Sequence, residues 1–245
     1  GDIQQSETPR IRVRTKNVTA IVVTGVGSVA NAMIRDRFVE PPEFTISTNP
    51  RVTEIDINQG AADLLEDVYM RAQEAIVVAE DRCWYKAAIA GVGAANDYVA
   101  LTGGLSATNL ATLRQSVARW NLPVENLLIG TEAINTVLSQ GDKFPNFDPV
   151  TQHEIIRTGH IGNIYGMSVI TDGFRDPNQV VLNSRDVIVV SSPIHHGGYT
   201  ERNGGVVAQP VDNAVQGMAA RGWFMHILES QALVNPRSYS MGTVV

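Results

Sequence analysis

A chain of 245 residues that is 44% hydrophobic and 18% charged is long enough to bury a substantial core and too apolar for intrinsic disorder. Its longest apolar runs, Ala20 to Val23 and Val187 to Val190, fall far short of the roughly 18 residues that a membrane-spanning helix needs, so no membrane partner is expected. A net charge of −6 argues against surface-wide affinity for nucleic acid, and the single cysteine, Cys83, cannot close an internal disulfide, which makes a reducing compartment the default.

Residues 1–9 are polar, show no apolar period, and read as an arm that must lie on another surface to be ordered. The opening Gly1, in place of a methionine, reads as the product of trimming, of a natural precursor or of the expressed chain. Arg12, Arg14 and Lys16 then alternate with Val13, Thr15 and Asn17, and the β-branched run from Val18 to Thr24 continues a strand with one wet face. Pro41 and Pro42 force an extended backbone into Phe44, Ile46, Val52, Ile55 and Ile57. Residues 10–58 therefore read as a long two-stranded excursion, poor in large apolar side chains and in need of a surface. Between Arg10 and Arg37 there are six basic residues and one acidic one, whereas from Asn58 onward twelve basic face eighteen acidic residues. The basic segment reads either as an intersubunit contact or as a solvated strand face.

Residues 60–90 carry the clearest helical period, in Leu65, Val68, Ala72, Ile76, Ala79 and Cys83. Asp63, Glu66 and Asp67 sit in the first turns, where the helix dipole favours negative charge, and Trp84 is placed to anchor the far end. Gly91, Gly93, Gly103 and Gly104 predict a loop region. Ser106 then caps a helix through Leu110, Leu113, Val117 and Trp120, stopped by Pro123. A short buried strand (127–130), a short helix (131–139), a helical turn from Asp148 through Ile156, and strands at 161–171 and 187–191 complete a compact α+β unit. Residues 192–205, rich in Gly, His and Asn, read as a loop. Apolar character returns in 218–233, and 241–245 reads as a closing strand.

Catalytic signals are weighed against plainer readings. Gly25, Gly27 and Ala30 spell a dinucleotide-binding turn, but Pro41 and Pro42 arrive before the long helix that such a turn must open. His153, His160, His195 and His196 have no spacing that puts two imidazoles on one helix face for a metal. Ser28, Ser106 and Ser168 lack a nucleophile elbow, and Cys83 lies on the helix stripe as a small hydrophobe. Neighbouring carboxylates such as Glu80 and Asp81 read as solvated or interfacial. No catalytic residue, cofactor or metal is expected.

The order of parts resembles the major capsid proteins of tailed bacteriophages, the Hong Kong 97 type of fold shared with encapsulins. The residues that carry this resemblance are Val39 to Phe44 continuing to Ile57 for the extended loop, and Gln73 to Ile76 with Glu80 to Arg82 for the spine helix. Leu127 to Leu138, then Gly159 to Val169, resemble the axial domain, and Ala232 to Pro236 the closing turn. The resemblance implies an α+β fold divided into an arm (1–9), an extended β loop (10–58), a peripheral domain (59–122 and 207–245) with its spine helix, and an axial domain (123–206). It further implies a structural protein that assembles with itself, as pentamers and hexamers, into an icosahedral shell around phage double-stranded DNA, without sequence-specific DNA contact. Portal, scaffolding and decoration proteins are the implied further partners, the virion the implied location, and the host bacterial cytoplasm the place of assembly. Arg10, Arg12, Arg14, Arg35 and Arg37 are then candidates to meet an acidic neighbour, including the helix face of Asp63, Glu66, Asp67 and Glu74, with burial of Phe44 outweighing exposed ion pairs. Some members of that family cross-link through a loop lysine; the tip here, Gly25 to Asp36, has none. An encapsulin-like compartment, and a metal- or dinucleotide-dependent enzyme, are the alternatives. Nucleic acid in purified particles separates the first, and metal analysis or a dinucleotide titration the second.

Overall fold

The computed structural model describes residues 2–3, 8–13, 37–60, 63–95, 98–140, 162–171, 179–215 and 218–245. In chain order they form β1 (Asp2–Ile3), β2 (Ile11–Val13), β3 (Arg37–Val39), β4 (Phe44–Thr48), β5 (Arg51–Thr53), α1 (Glu54–Gln59), α2 (Leu64–Ala95), β6 (Tyr98–Leu101), α3 (Ala107–Ala118), β7 (Val124–Ile129) and α4 (Thr131–Gln140). There follow β8 (Asn163–Ile164), β9 (Met167–Thr171), β10 (Asp186–Ser191), α5 (Pro193–His196), β11 (Gly197–Val215), β12 (Met218–Leu233) and β13 (Tyr239–Val244). The expected helical turn at 148–156 and the tip of the excursion lie outside the described residues. The fold is α+β, as expected.

Two sheets carry the molecule. A six-stranded sheet runs β6-β13-β10-β7-β9-β8. Its central strand β10 is buried along its whole length, because period-2 alternation sends its side chains into two different cores. Val187 and Val189 face Leu110, Leu113 and Val117 of α3 and Ala133 and Val137 of α4. Ile188 and Val190 face Ala88 and Val92 of α2, together with Tyr239 and Met241 of β13. A second sheet, β1-β11-β12-β4 with β5 also on β12, is built on the long β11–β12 hairpin. There Met225 and Ile227 pack against Ala72 and Ile76 of α2.

Helix α2, 32 residues and about 48 Å at 1.5 Å per residue, thus serves both sheets. At 100° per residue the step from Ala72 to Ala88 turns by about 160°, so the two sheets lie on nearly opposite sides of it. The helix also runs through Gly91 and Gly93, where a loop was expected. A glycine costs about 1 kcal/mol in a helix interior. Gly91 is needed for approach: a Cβ there would come within 2.0 Å of the Leu233 Cδ2 atom at the end of β12.

Other expectations are corrected in the same physical terms. Residues 192–205 are the short helix α5 and then the first part of β11, and the glycines mark a bulge in a strand. Gly204 and Gly205, at φ +73° and +111°, sit where the β11–β12 register shifts between Arg202 and Val207. Residues 161–171 give two strands, β8 and β9, turned at Tyr165 and Gly166. Phe44 to Thr53, assigned to the free excursion, pair with β12 of their own chain. Ile55 and Ile57, expected in the extended run, lie instead in α1, which Thr53 caps by accepting the Asp56 N–H. What remains of the excursion among the described residues is the antiparallel pair β2–β3, and β1 of the arm lies parallel on β11. The division of 59–122 with 207–245 from 123–206 does not follow the sheets, since β6, α3 and β13 pack with β7 to β10.

The sequence expectation of a helix starting directly from a buried strand holds at β7 and α4, and Gly130 is the reason it can. A Cβ there would meet the carbonyl oxygens of Asn183 and Ser184 at 2.3 and 2.5 Å. Gly130→Ala is expected to lower stability by about 2 kcal/mol, as overpacking against backbone does, and a thermal melt followed by circular dichroism checks it.

Candidate functional site

Among the described residues no group of three or more His, Cys, Asp and Glu side chains is placed to hold a metal ion. Gly25, Gly27, Ala30, His153 and His160 lie outside the described residues. His195 and His196 are the last residues of α5. The His196 ring stacks at a tilt on Tyr239, 5.4 Å between centroids, and burial favours its neutral form. No helix is long and apolar enough to cross a membrane among the described residues.

What the chain does present is surface. Of the arginines expected to reach a neighbour, Arg10, Arg12 and Arg37 lie on or beside the β2–β3 pair, and all three are exposed. Arg10 is already engaged within the chain, its Nε 2.9 Å from Glu40 Oε1. Arg12 lies opposite Phe38 in the ladder and lines a small polar cleft with His195 and Asn235, and Arg37 lies opposite Val13. Arg14 and Arg35 lie outside the described residues. Phe38 and Val39 on β3 are exposed. Phe44 is half-buried on β4, opposite Glu229 of β12, so part of the burial expected against a second copy is made at home.

Asp63, Glu66, Asp67 and Glu74 share one face of α2 at 100° per residue. Asp63 caps the helix, its Oδ1 accepting the Glu66 N–H at 3.4 Å. Asp67 pairs with Arg71 one turn on, at 3.0 Å, and Glu74 accepts from Gln179 Nε2. Met70 and Val77 lie within the same stripe, 52% and 48% exposed. The sequence reading missed these two apolar side chains, although their seven-residue spacing opposite Ala72 and Ile76 was there to be read.

A second feature lies where α2 passes from one sheet to the other. A cavity of about 320 Å³ is lined there by Glu80, Asp81 and Trp84 of α2, His196, Tyr199 and Glu201 at the start of the hairpin, Glu229 of β12 and Tyr239 of β13. Glu229 is only 2% exposed. Glu80, read as solvated or interfacial, faces this cavity and is part-buried within the chain. Trp84 meets Tyr239 edge-on at 5.9 Å, the anchor anticipated for that end of the helix.

Comparison with known proteins gives fold relatives only through structure: no family model matches the chain, and neither does any curated protein sequence. Among solved structures it is similar to one from Gordonia phage Cozz, at a TM-score of 0.66 and 10% identity, covering 100% of this chain and 84% of that one. It is similar to one from Microbacterium phage Oxtober96, at 0.63 and 15%, covering 100% and 88%. It is also similar to the capsid structure of the cyanophage P-SCSP1u, at 0.61 and 10%, covering 100% and 85%. The chain shares the fold of these phage structures, and the resemblance read from the order of its parts holds at that level.

Proposed function

We propose that this chain is a structural subunit that assembles with itself into the shell of a tailed-phage head, as a major capsid protein. The observation that carries the reading is the match along 100% of the chain to the cyanophage capsid structure. Such a subunit forms pentamers and hexamers of a closed icosahedral shell, resides in the virion, and is built in the cytoplasm of a bacterial host. It surrounds double-stranded DNA without reading sequence, alongside portal, scaffolding and decoration proteins. No enzymatic step and no cofactor belong to this reading.

In the shell, the sheet built on β11 and β12 with the first half of α2 corresponds to the peripheral domain, and the six-stranded sheet to the axial domain. The acidic and apolar stripe of α2 (Asp63, Glu66, Asp67, Met70, Glu74, Val77) is the natural seat for the basic excursion of a second copy. Its two exposed apolar side chains favour burial, and its carboxylates match the excess of arginine in residues 10–37. Obligate contacts of this kind commonly bury about 2,000–5,000 Å². Arg10, Arg12, Arg14, Arg35 and Arg37 remain candidates to meet that stripe, and Arg10 would have to exchange its contact with Glu40 to do so.

Electron microscopy and velocity sedimentation of the purified protein test the reading directly. Closed shells of uniform diameter support it, and a monodisperse monomer at working concentration rejects it. With no lysine between Gly25 and Asp36, the shell is expected to be held without isopeptide bonds, so boiled particles should run as a single band on denaturing electrophoresis.

A further inference from the structure

Glu80 of α2 and Glu229 of β12 line the same cavity where α2 crosses between the sheets, and Glu229 is almost fully buried. An ionised carboxylate only accepts hydrogen bonds, so two carboxyl groups can bond only while one of them carries a proton. We propose that this pair is a proton-operated latch: one proton held between Glu80 and Glu229 ties the spine helix to the β11–β12 hairpin, and its loss releases the helix at its crossing point.

The surroundings are built to make that proton matter. Glu201 is the cross-strand partner of Glu229, and like charges opposite one another in a ladder repel. On the other side, Phe44 of β4 is the partner and offers no charge. The titratable groups lining the cavity with the pair are Asp81 from α2, His196, Tyr199 and Glu201 from the turn and β11, and Tyr239 from β13. Cys83 of α2 lies near enough to feel both carboxylates. No lysine or arginine lines the cavity. Lys86 acts on Cys83, and Arg202, beside Glu201, is bound to Glu43. Gln231 is a neutral donor to Glu229, its Nε2 2.9 Å from Oε1. Two ionised carboxylates here would therefore repel each other with no cation between them.

The acid strength of the pair agrees. Burial, then the hydrogen bond and charge of Glu80, push Glu229 up to about 7, and burial followed by the charges of Glu201 and Asp81 raises Glu80 as well. With a folded-state value above the unfolded one, the folded chain holds the extra proton. The stability this contributes is fully present below the unfolded value, near 4.5, and is lost as pH rises through about 7.

The latch belongs to the fold of the single chain, so its test does not require a shell. Thermal unfolding of the full chain at constant ionic strength should show a melting temperature lower by about 5 °C at pH 8.5 than at pH 5. Hydrogen exchange, corrected for intrinsic rates, should show opening of residues 78–86 and 226–233 increasing by about tenfold or more over the same range. Glu229→Gln, which keeps a donor in place of the proton, should flatten both profiles and protect the junction at pH 8.5. Glu80→Gln should do the same and decides the matter alone if the Glu229 variant does not fold. A wild-type profile without this pH dependence, or glutamine variants that keep it, would overturn the proposal.

Discussion

A chain carrying Met70→Asp and Val77→Asp together is expected to fold as the parent does and to form no particles. Both side chains are about half exposed and touch neither core, so the loss to the single chain should stay within about 1 kcal/mol in total, from helix propensity and repulsion by Glu66, Asp67 and Glu74. Between copies the arithmetic differs. Each aspartate removes apolar area worth about 25 cal/mol per Å² and places a charge where the contact must dry, a penalty of several kcal/mol. Closed symmetry repeats that penalty at every subunit. Circular dichroism should be unchanged, while sedimentation should move all material from the particle to the subunit position. Particles at parental yield would show that this face of α2 is not covered by a neighbour.

Ile188→Ala is expected to cost the single chain about 3 kcal/mol, the range for a large-to-small change in a closed core. Ile188 is 1% exposed on the central strand, where α2 and β13 close over it and the opposite face is sealed by α3 and α4. No layer can collapse into the space without disturbing the other. For a chain of this length the melting temperature should fall by roughly 10 °C. Ile170→Ala, on the exposed face of β9, should change it by less than about 2 °C. Equal shifts from the two would mean that β10 is not the centre of the structure.

The parts of the fold that could be read from sequence are those where one local signal suffices. Ser106 caps α3, its side chain accepting the Asn109 N–H at 3.2 Å, and the runs 127–130 and 187–191 are apolar enough to be buried strands. The readings that failed needed a long-range partner. Gly91 and Gly93 look like helix breakers until Leu233 is known to press on the helix there. Gly204 and Gly205 look like loop residues until β12 is known to run alongside them. The stripe of Leu65, Ala72 and Ile76 was visible, but its continuation in Ala88 and Val92 was not, because the buried face turns with the second sheet and no single period joins the two. At the candidate surface, the acidic residues of α2 were legible as a charged face. Glu80 was not distinguishable from them, since only the fold places it opposite a buried glutamate on β12.

The half-turn offset between the two buried faces of α2 also limits how the gene can vary. Inserting one codon between Ile76 and Ala88 would swing the six-stranded layer by about 100° around the helix and tear it from the hairpin, whereas seven added residues, close to two full turns, would bring the layers back into line about 10 Å further apart. Length changes in this stretch should therefore be tolerated only in steps close to whole turns, such as about seven or eleven residues, a constraint on descendants that no individual contact would reveal.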